Sequence, residues 1–384
     1  MPKQVIVHSS IESVEIIDTP IPTPKDHEIV IKVIVSGTNP KDWKYPLWKG
    51  WSHNSGDDIA GIVHSVGKDV YEFKPGDRVA AAHEFGTENG SFAEYSVALD
   101  WVTFHIPHNV SFEEAATIPS AAFTAALALY SDMDVSPPYL SKEQEGSGEK
   151  TPIILYGVTT AVGAFAAKLA RLSGLHPIIG VAGRAASFAR DLSDYVVDYR
   201  AGEDSIVSAI EDILAKEGLD RKVRYGFDCV NEQGSLETTL RLIDTNGGQI
   251  CTVLPPSLFS RTKENFKWPE GVKGTNTACP QVQTTLKDFG YIWARLFSRL
   301  LADGRLTAHP YEVIPGGLNG ILIGLQKLRN GEASALKYVY RIEETGKVAA
   351  PKISEANAAT KSSQDTKPVK DFPFPVKDEV SSSS

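Results

Sequence analysis

The chain has 384 residues and is 42% hydrophobic, 23% charged and 9% aromatic. That globular balance excludes a wholly disordered or fibrous protein and suggests about two domains. Its 39 basic and 48 acidic residues give a net charge of −9, which argues against nucleic acid or an anionic membrane as the main partner, since both select a basic face. The three cysteines, Cys229, Cys251 and Cys279, lie in the C-terminal half without a Cys-x-x-Cys. They exclude a disulfide framework and a four-cysteine zinc lobe. No apolar run reaches the ~18–20 residues that span a bilayer. The start enters the strand-like run Val5-Ile6-Val7 with no signal peptide ahead of it. The expectation is a soluble, cytoplasmic protein.

The first ~120 residues read as β-rich. Strands are expected at 5–7, 28–35, 59–66, 77–80 and 91–95, separated by turn residues such as Lys74-Pro75-Gly76-Asp77. Short strands at this spacing suggest a barrel or sandwich. Ser111 and Glu114 form a capping-box pattern that starts a helix. Pro119 interrupts it, and 121–130 continues as a small-residue helix. Residues 131–151 read as an exposed loop.

From 152 the pattern alternates strand and helix. Strands are expected at 153–156, 177–181, 195–197, 223–230 and 249–254, with helices at 162–172, 203–216 and 234–243. This is the signature of a doubly wound parallel α/β sheet. Leu318, Ile321, Leu322, Leu325 and Leu328 share one helix face, and 337–342 reads as a last strand. Residues 346–384 have the composition of a disordered tail.

Between the first strand and first helix of this alternation lies Gly157-Val158-Thr159-Thr160-Ala161-Val162-Gly163. A dinucleotide pyrophosphate belongs there, on the N–H groups of a helix N-terminus. The strict Gly-x-Gly-x-x-Gly is absent, so the setting carries the reading. At the end of the second strand an NAD site places an acid on the ribose 2′-hydroxyl. This chain has Gly183, Arg184 and Ser187 in a run without an acid. A guanidinium suits a 2′-phosphate, which favours NADPH over NADH. Val253 and Leu254 follow a strand at its carboxyl end, where ligands gather in open sheets, and are expected to line the nicotinamide pocket. Cys229 and Cys251 read as buried, inert thiols.

Several stretches resemble the zinc-independent medium-chain dehydrogenase/reductases, the quinone oxidoreductase and enoyl reductase branch. They are Gly37-Thr38-Asn39-Pro40-Lys41-Asp42-Trp43-Lys44, the run Gly56 to Gly67 continued by Phe73 to Val79, and Tyr156 to Gly163 followed by Asp198-Tyr199-Arg200. Asp303-Gly304-Arg305-Leu306, His309-Pro310, Gly316-Gly317 and Lys337 to Tyr340 resemble the fungal subgroup of trans-acting enoyl reductases and TOXD/CipB-like proteins. The resemblance implies a GroES-like domain over 1–122 and 305–345 and an NADP-binding Rossmann domain over 123–304, with the cofactor in the cleft between them. It implies that Lys44 faces that cleft as a ribose contact or proton donor. Asn39 and Asp42 would hold the same loop, and Tyr199 would lie near the adenosine 2′-phosphate. Asp58 is either a cleft carboxylate or a buried partner. Zinc-dependent relatives carry a cysteine near Thr38 and Gly-His-Glu at Gly56-Asp57-Asp58, so no metal site is expected.

The implied chemistry is hydride transfer from NADPH to an activated C=C bond, enoyl or enone, or to a quinone. Trp43, Tyr45, Trp48 and Trp51 would form an aromatic wall for a flat or polyene substrate. Three assignments stay open: a trans-acting enoyl reductase serving a polyketide synthase carrier domain, a stand-alone quinone reductase, and a cofactor-binding protein without turnover. The expected state is a monomer or homodimer, with neither nucleic acid nor membrane as partner.

Overall fold

The computed structural model describes residues 1–140 and 150–350. Residues 141–149 of the expected loop 131–151 and 351–384 of the expected tail lie outside the described residues; of the described part of the loop, Met133 and Val135 are buried rather than exposed. Close packing divides the chain into two units. Among the described residues, one holds 1–106, 312–332 and 338–350; the other holds 107–140, 150–311 and 333–337.

The first unit begins with β1 (Lys3–Val7) and β2 (Val14–Asp18), an antiparallel pair. β3 (Glu28–Gly37) leads to α1 (Lys41–Lys49), then β4 (Asp58–Val66), β5 (Arg78–Ala82), β6 (Tyr95–Leu99) and β7 (Thr103–His105). β3 is buried along most of its length, as its Val and Ile content requires. It pairs antiparallel with β4 on one side and with β6 on the other.

Two expectations change here. The strand expected at 91–95 begins at Tyr95. The residues before it bridge to β1 instead: Ala93 pairs with Gln4, Val5 N donates to Phe92 O at 2.8 Å and Glu94 N to Lys3 O at 2.9 Å, and the Asn54 side chain adds bonds to Phe92 N and O, both 3.2 Å. The segment after Pro40 is a helix rather than a loop. Asp42 Oδ2 accepts the Asn39 N–H at 2.7 Å and so satisfies a donor at the helix start. Gly50, at φ 69°, closes the other end.

The second unit opens with the capping box of α2 (Phe112–Ala115), in which Ser111 Oγ accepts from Glu114 N and Glu114 returns the bond to Ser111 N. Pro119 stands at the first turn of α3 (Pro119–Ala126), where its missing N–H is harmless. There follow β8 (Ile153–Tyr156), α4 (Ala161–Leu172), β9 (Ile178–Ala182), α5 (Ala186–Leu192), β10 (Tyr195–Asp198) and α6 (Glu203–Lys216). β11 (Tyr225–Asp228), α7 (Ser235–Leu240), β12 (Gln249–Thr252), α8 (Pro256–Phe259), β13 (Lys273–Asn276) and α9 (Lys287–Ala302) complete it. The sheet order is β10-β9-β8-β11-β12-β13, and every neighbouring pair is parallel. Ile154, Ile179, Val181, Ile206, Ile210 and Ile250 are fully buried around it. The chain then adds β14 (Tyr311–Val313), α10 (Ile321–Arg329) and β15 (Lys337–Arg341), the last pairing antiparallel with β3.

The strand order reverses at β8, with β9 and β11 on its two sides. A crevice opens at the carboxyl ends of strands at such a point, and ligands of open α/β sheets bind there. No helix among the described residues is long and apolar enough to cross a membrane.

Candidate active site

The loop from β8 into α4 is shaped for close approach. Gly157 has φ +78°, a region L side chains rarely adopt. A Cβ on Gly163 would stand 2.3 Å from Gly157 O and 2.9 Å from Val158 Cα, so loop and helix touch backbone to backbone. Thr160 is the N-cap, and its Oγ1 accepts from Gly163 N at 3.0 Å. The N–H groups of Ala161 and Val162 remain, as donors the helix cannot itself satisfy. Half-buried Thr159 lies beside them, and donors of this kind at a helix start are suited to an anion. The strict glycine pattern is thus replaced by one threonine cap and two well-placed glycines. Gly163→Ala must move backbone. We expect a loss of about 1–3 kcal/mol and at least tenfold weaker nucleotide binding, read by urea unfolding and fluorescence titration.

At the end of β9 a Cβ on Gly183 would lie 2.5–2.8 Å from ring atoms of Tyr199. The tyrosine covers the strand end and brings Gly183 and Tyr199 together. Arg184 and Ser187 are exposed at the same turn. Asp198, the carboxylate at the tip of β10, is held by Arg200 in contacts of 2.5–3.1 Å, and these bonds pull it down to about 2.

Val253 and Leu254 are half-buried just past β12. Their backbone is fixed by a polar turn the sequence reading did not single out. Asp228, fully buried at the end of β11, accepts from Val230 N and Asn231 N at 2.9 Å and from Ser235 Oγ at 2.6 Å. Burial lifts its carboxyl to about 6. Asn231 Nδ2 donates to Leu254 O. The Val230 side chain meets the Cα side of Gly157, so the loops after β8, β11 and β12 form one cluster.

In the first unit the structure gathers Asn39, Asp42 and Asp58. Asn39 Nδ2 donates to Asp58 Oδ2 at 2.9 Å, and Asp58 is fully buried. That settles Asp58 as a buried partner. Lys41, also not anticipated, completes the network. Its Nζ lies 2.6 Å from Asp57 Oδ1, 3.1 Å from Asp42 Oδ1 and 2.5 Å from Ser55 O. Burial raises Asp42 to about 7 despite Lys41, with Asp57 adding to the rise. Burial alone would lower the Lys41 amine, but Asp57 and Asp42 overcome it and raise it. Lys44 Nζ sits 5.6 Å from the ring centres of both Trp43 and Trp48, a cation held on indole faces. Cys229 and Cys251 are buried, and burial pushes both thiols far up, which makes them inert.

A parallel sheet in this order, with a Thr-capped glycine loop at its switch point, is the arrangement of dinucleotide-binding folds. Residues 25–108 match the alcohol dehydrogenase GroES-like domain. The chain is 39% identical to the trans-enoyl reductase fsr4 of Gibberella fujikuroi, over 80% of this chain and 89% of that protein. It is 30% identical to the enoyl reductase component lovC of the lovastatin nonaketide synthase of Aspergillus terreus, over 83% and 90%. The crystal structure of CurK enoyl reductase superposes with a TM-score of 0.73 at 18% identity, covering 88% of this chain and 99% of that one. The chain belongs to the trans-enoyl reductase family. It is an oxidoreductase of the enoyl reductase branch that uses a nicotinamide cofactor.

Proposed function

We propose that the protein is an NADPH-dependent, metal-independent enoyl reductase of secondary metabolism, acting in trans on acyl chains presented by a polyketide synthase carrier domain. The observation that carries the nucleotide choice is the turn after β9. It holds Gly183, Arg184 and Ser187, its floor is the Tyr199 ring, and no carboxylate occurs in the run 181–187. The fit of the dinucleotide rests on the Gly157–Gly163 cradle and on the Asp228–Asn231 turn that holds 253–254. The cofactor supplies a hydride for the β-carbon of an α,β-unsaturated carbonyl.

The chain's own residues do the rest. Ala161 and Val162 N–H groups hold the pyrophosphate, Arg184 neutralises the 2′-phosphate, and Val253 and Leu254 give the nicotinamide an apolar wall. Lys44 offers an ammonium that stabilises the enolate oxygen or returns a proton to the α-carbon. The positions that match metal ligands in zinc-dependent relatives are otherwise engaged. Thr38 Oγ1 donates to Tyr338 O at 2.9 Å, and Asp57 faces Lys41. Among the described residues no three His, Cys, Asp or Glu side chains are grouped to hold a metal. The carrier-domain partner is supported by the lovC relative, whose name makes it a component of a nonaketide synthase.

Fluorescence titration with NADPH and NADH tests the nucleotide reading. NADPH should bind at least tenfold tighter, and Arg184→Ala should remove most of that preference with little effect on NADH. Equal affinities in the unaltered protein would overturn it.

A further inference from the structure

A second concave site lies on the nucleotide-binding unit, built from the far half of α4, α5 and the 305–311 segment. Its volume is about 700 Å³, within the usual range of small-ligand sites. Its apolar walls include Leu172, Phe188 and Pro310. Three cations line it, and two are balanced. Arg171 pairs with Asp194 at 3.2 Å, and Arg305 with Asp303 at 2.6 Å.

Lys168 is different. Its Nζ donates to the carbonyls of Thr307 and Ala308, each at 2.9 Å. Burial pushes its amine down to about 8, with no carboxylate opposing the shift. Two carbonyl dipoles do not neutralise an ammonium taken out of water. Beside it, His309 is 2% exposed, and its Nδ1 is buried without a hydrogen-bond partner. Burial, then the Lys337 and Lys168 cations, hold its ring neutral, down to about 3. The two acids of the lining do not supply the missing charge. Glu114 Oε2 is committed to Ser111 N at 2.8 Å, and Asp191 is exposed. Lys168 is seven residues past Ala161, about 10 Å along α4, which separates this groove from the phosphate loop.

We propose that this groove binds an amphipathic anion, a carboxylate or phosphate monoester on an apolar stem. The head lies on Lys168, with Arg305 and Arg171 at the rim, and the stem lies against Phe188, Leu172 and Pro310. The bound anion supplies the counter-charge Lys168 lacks. This site is independent of the nucleotide reading.

Calorimetric titration of the full chain at pH 7 with octanoate, octyl phosphate and inorganic phosphate tests it, and the first two separate the headgroups. At least one octyl compound should bind, more tightly than inorganic phosphate. Lys168→Met should weaken that binding at least tenfold, and Lys168→Arg should keep it. Asp191→Asn, which removes a like charge, should tighten it. Should Lys168→Met fail to fold, Arg305→Gln decides, with an expected loss of about threefold. No binding of either octyl compound, inorganic phosphate binding as tightly as octyl phosphate, or unchanged affinity in both Lys168→Met and Arg305→Gln would overturn the proposal.

Discussion

Lys41→Met will lower the unfolding free energy by about 3–5 kcal/mol. Lys41 serves two carboxylates at once, Asp57 at 2.6 Å and Asp42 at 3.1 Å. Asp42 is fully buried and Asp57 is 7% exposed. Removing the ammonium leaves two acids facing each other in low dielectric, where they must take up protons or stay as unpaired buried charge, and breaking a buried pair from one side is strongly destabilising. The damage then spreads along the chain. Asp42 also ties the entry of α1 through Asn39 N, and Asn39 reaches Asp58, so the placement of the helix carrying Lys44 depends on the cluster. Adding Asp57→Asn to Lys41→Met removes one of the stranded charges and should recover at least 1 kcal/mol. Urea unfolding of the two variants measures both effects. A loss under 1 kcal/mol for Lys41→Met would mean the triad does not organise this segment.

Lys44→Ala should cut turnover by about 10²-fold or more while leaving stability within about 1 kcal/mol. Lys44 lies on α1 between the Trp43 and Trp48 indoles, and these rings limit its freedom. An ammonium already held in place needs little reorganisation when negative charge builds on a substrate oxygen. Lys44→Arg keeps the charge but changes the donor geometry, and should restore only part of the rate. A proton-donor role predicts that the alkaline limb of the rate-versus-pH profile, where a lysine acid would lose its proton, changes in Lys44→Ala. A role confined to ribose binding predicts a raised KM for the nucleotide at unchanged kcat. Steady-state kinetics across pH distinguishes the two.

The parallel sheet was legible because apolar runs alternate with helical stretches, as in Ile153 to Leu172. The capping box at Ser111 was legible for the same reason: its signal is local. The Lys41–Asp57 pair was not, because it joins residues sixteen apart in sequence (57 minus 41) across a helix and a strand edge. Nothing in the spacing of Asn39 to Lys44 tells which charged group turns inward. The helix α9 was missed although Phe289, Trp293 and Phe297 recur at helical spacing, because exposed Tyr291 and Ile292 blur the apolar face. The phosphate loop sits between these cases. Its position followed from the strand–helix alternation, but the role of Thr160 as the cap that replaces a glycine is visible only in the geometry.

The most direct measurement follows NADPH absorbance when the protein is given an α,β-unsaturated acyl thioester, with and without a strong chelator. The account predicts NADPH oxidation coupled to saturation of the thioester, undiminished by the chelator, and little or no turnover with NADH. Loss of activity on metal removal, or no NADPH oxidation with any enoyl thioester by a protein that binds the nucleotide, would contradict it.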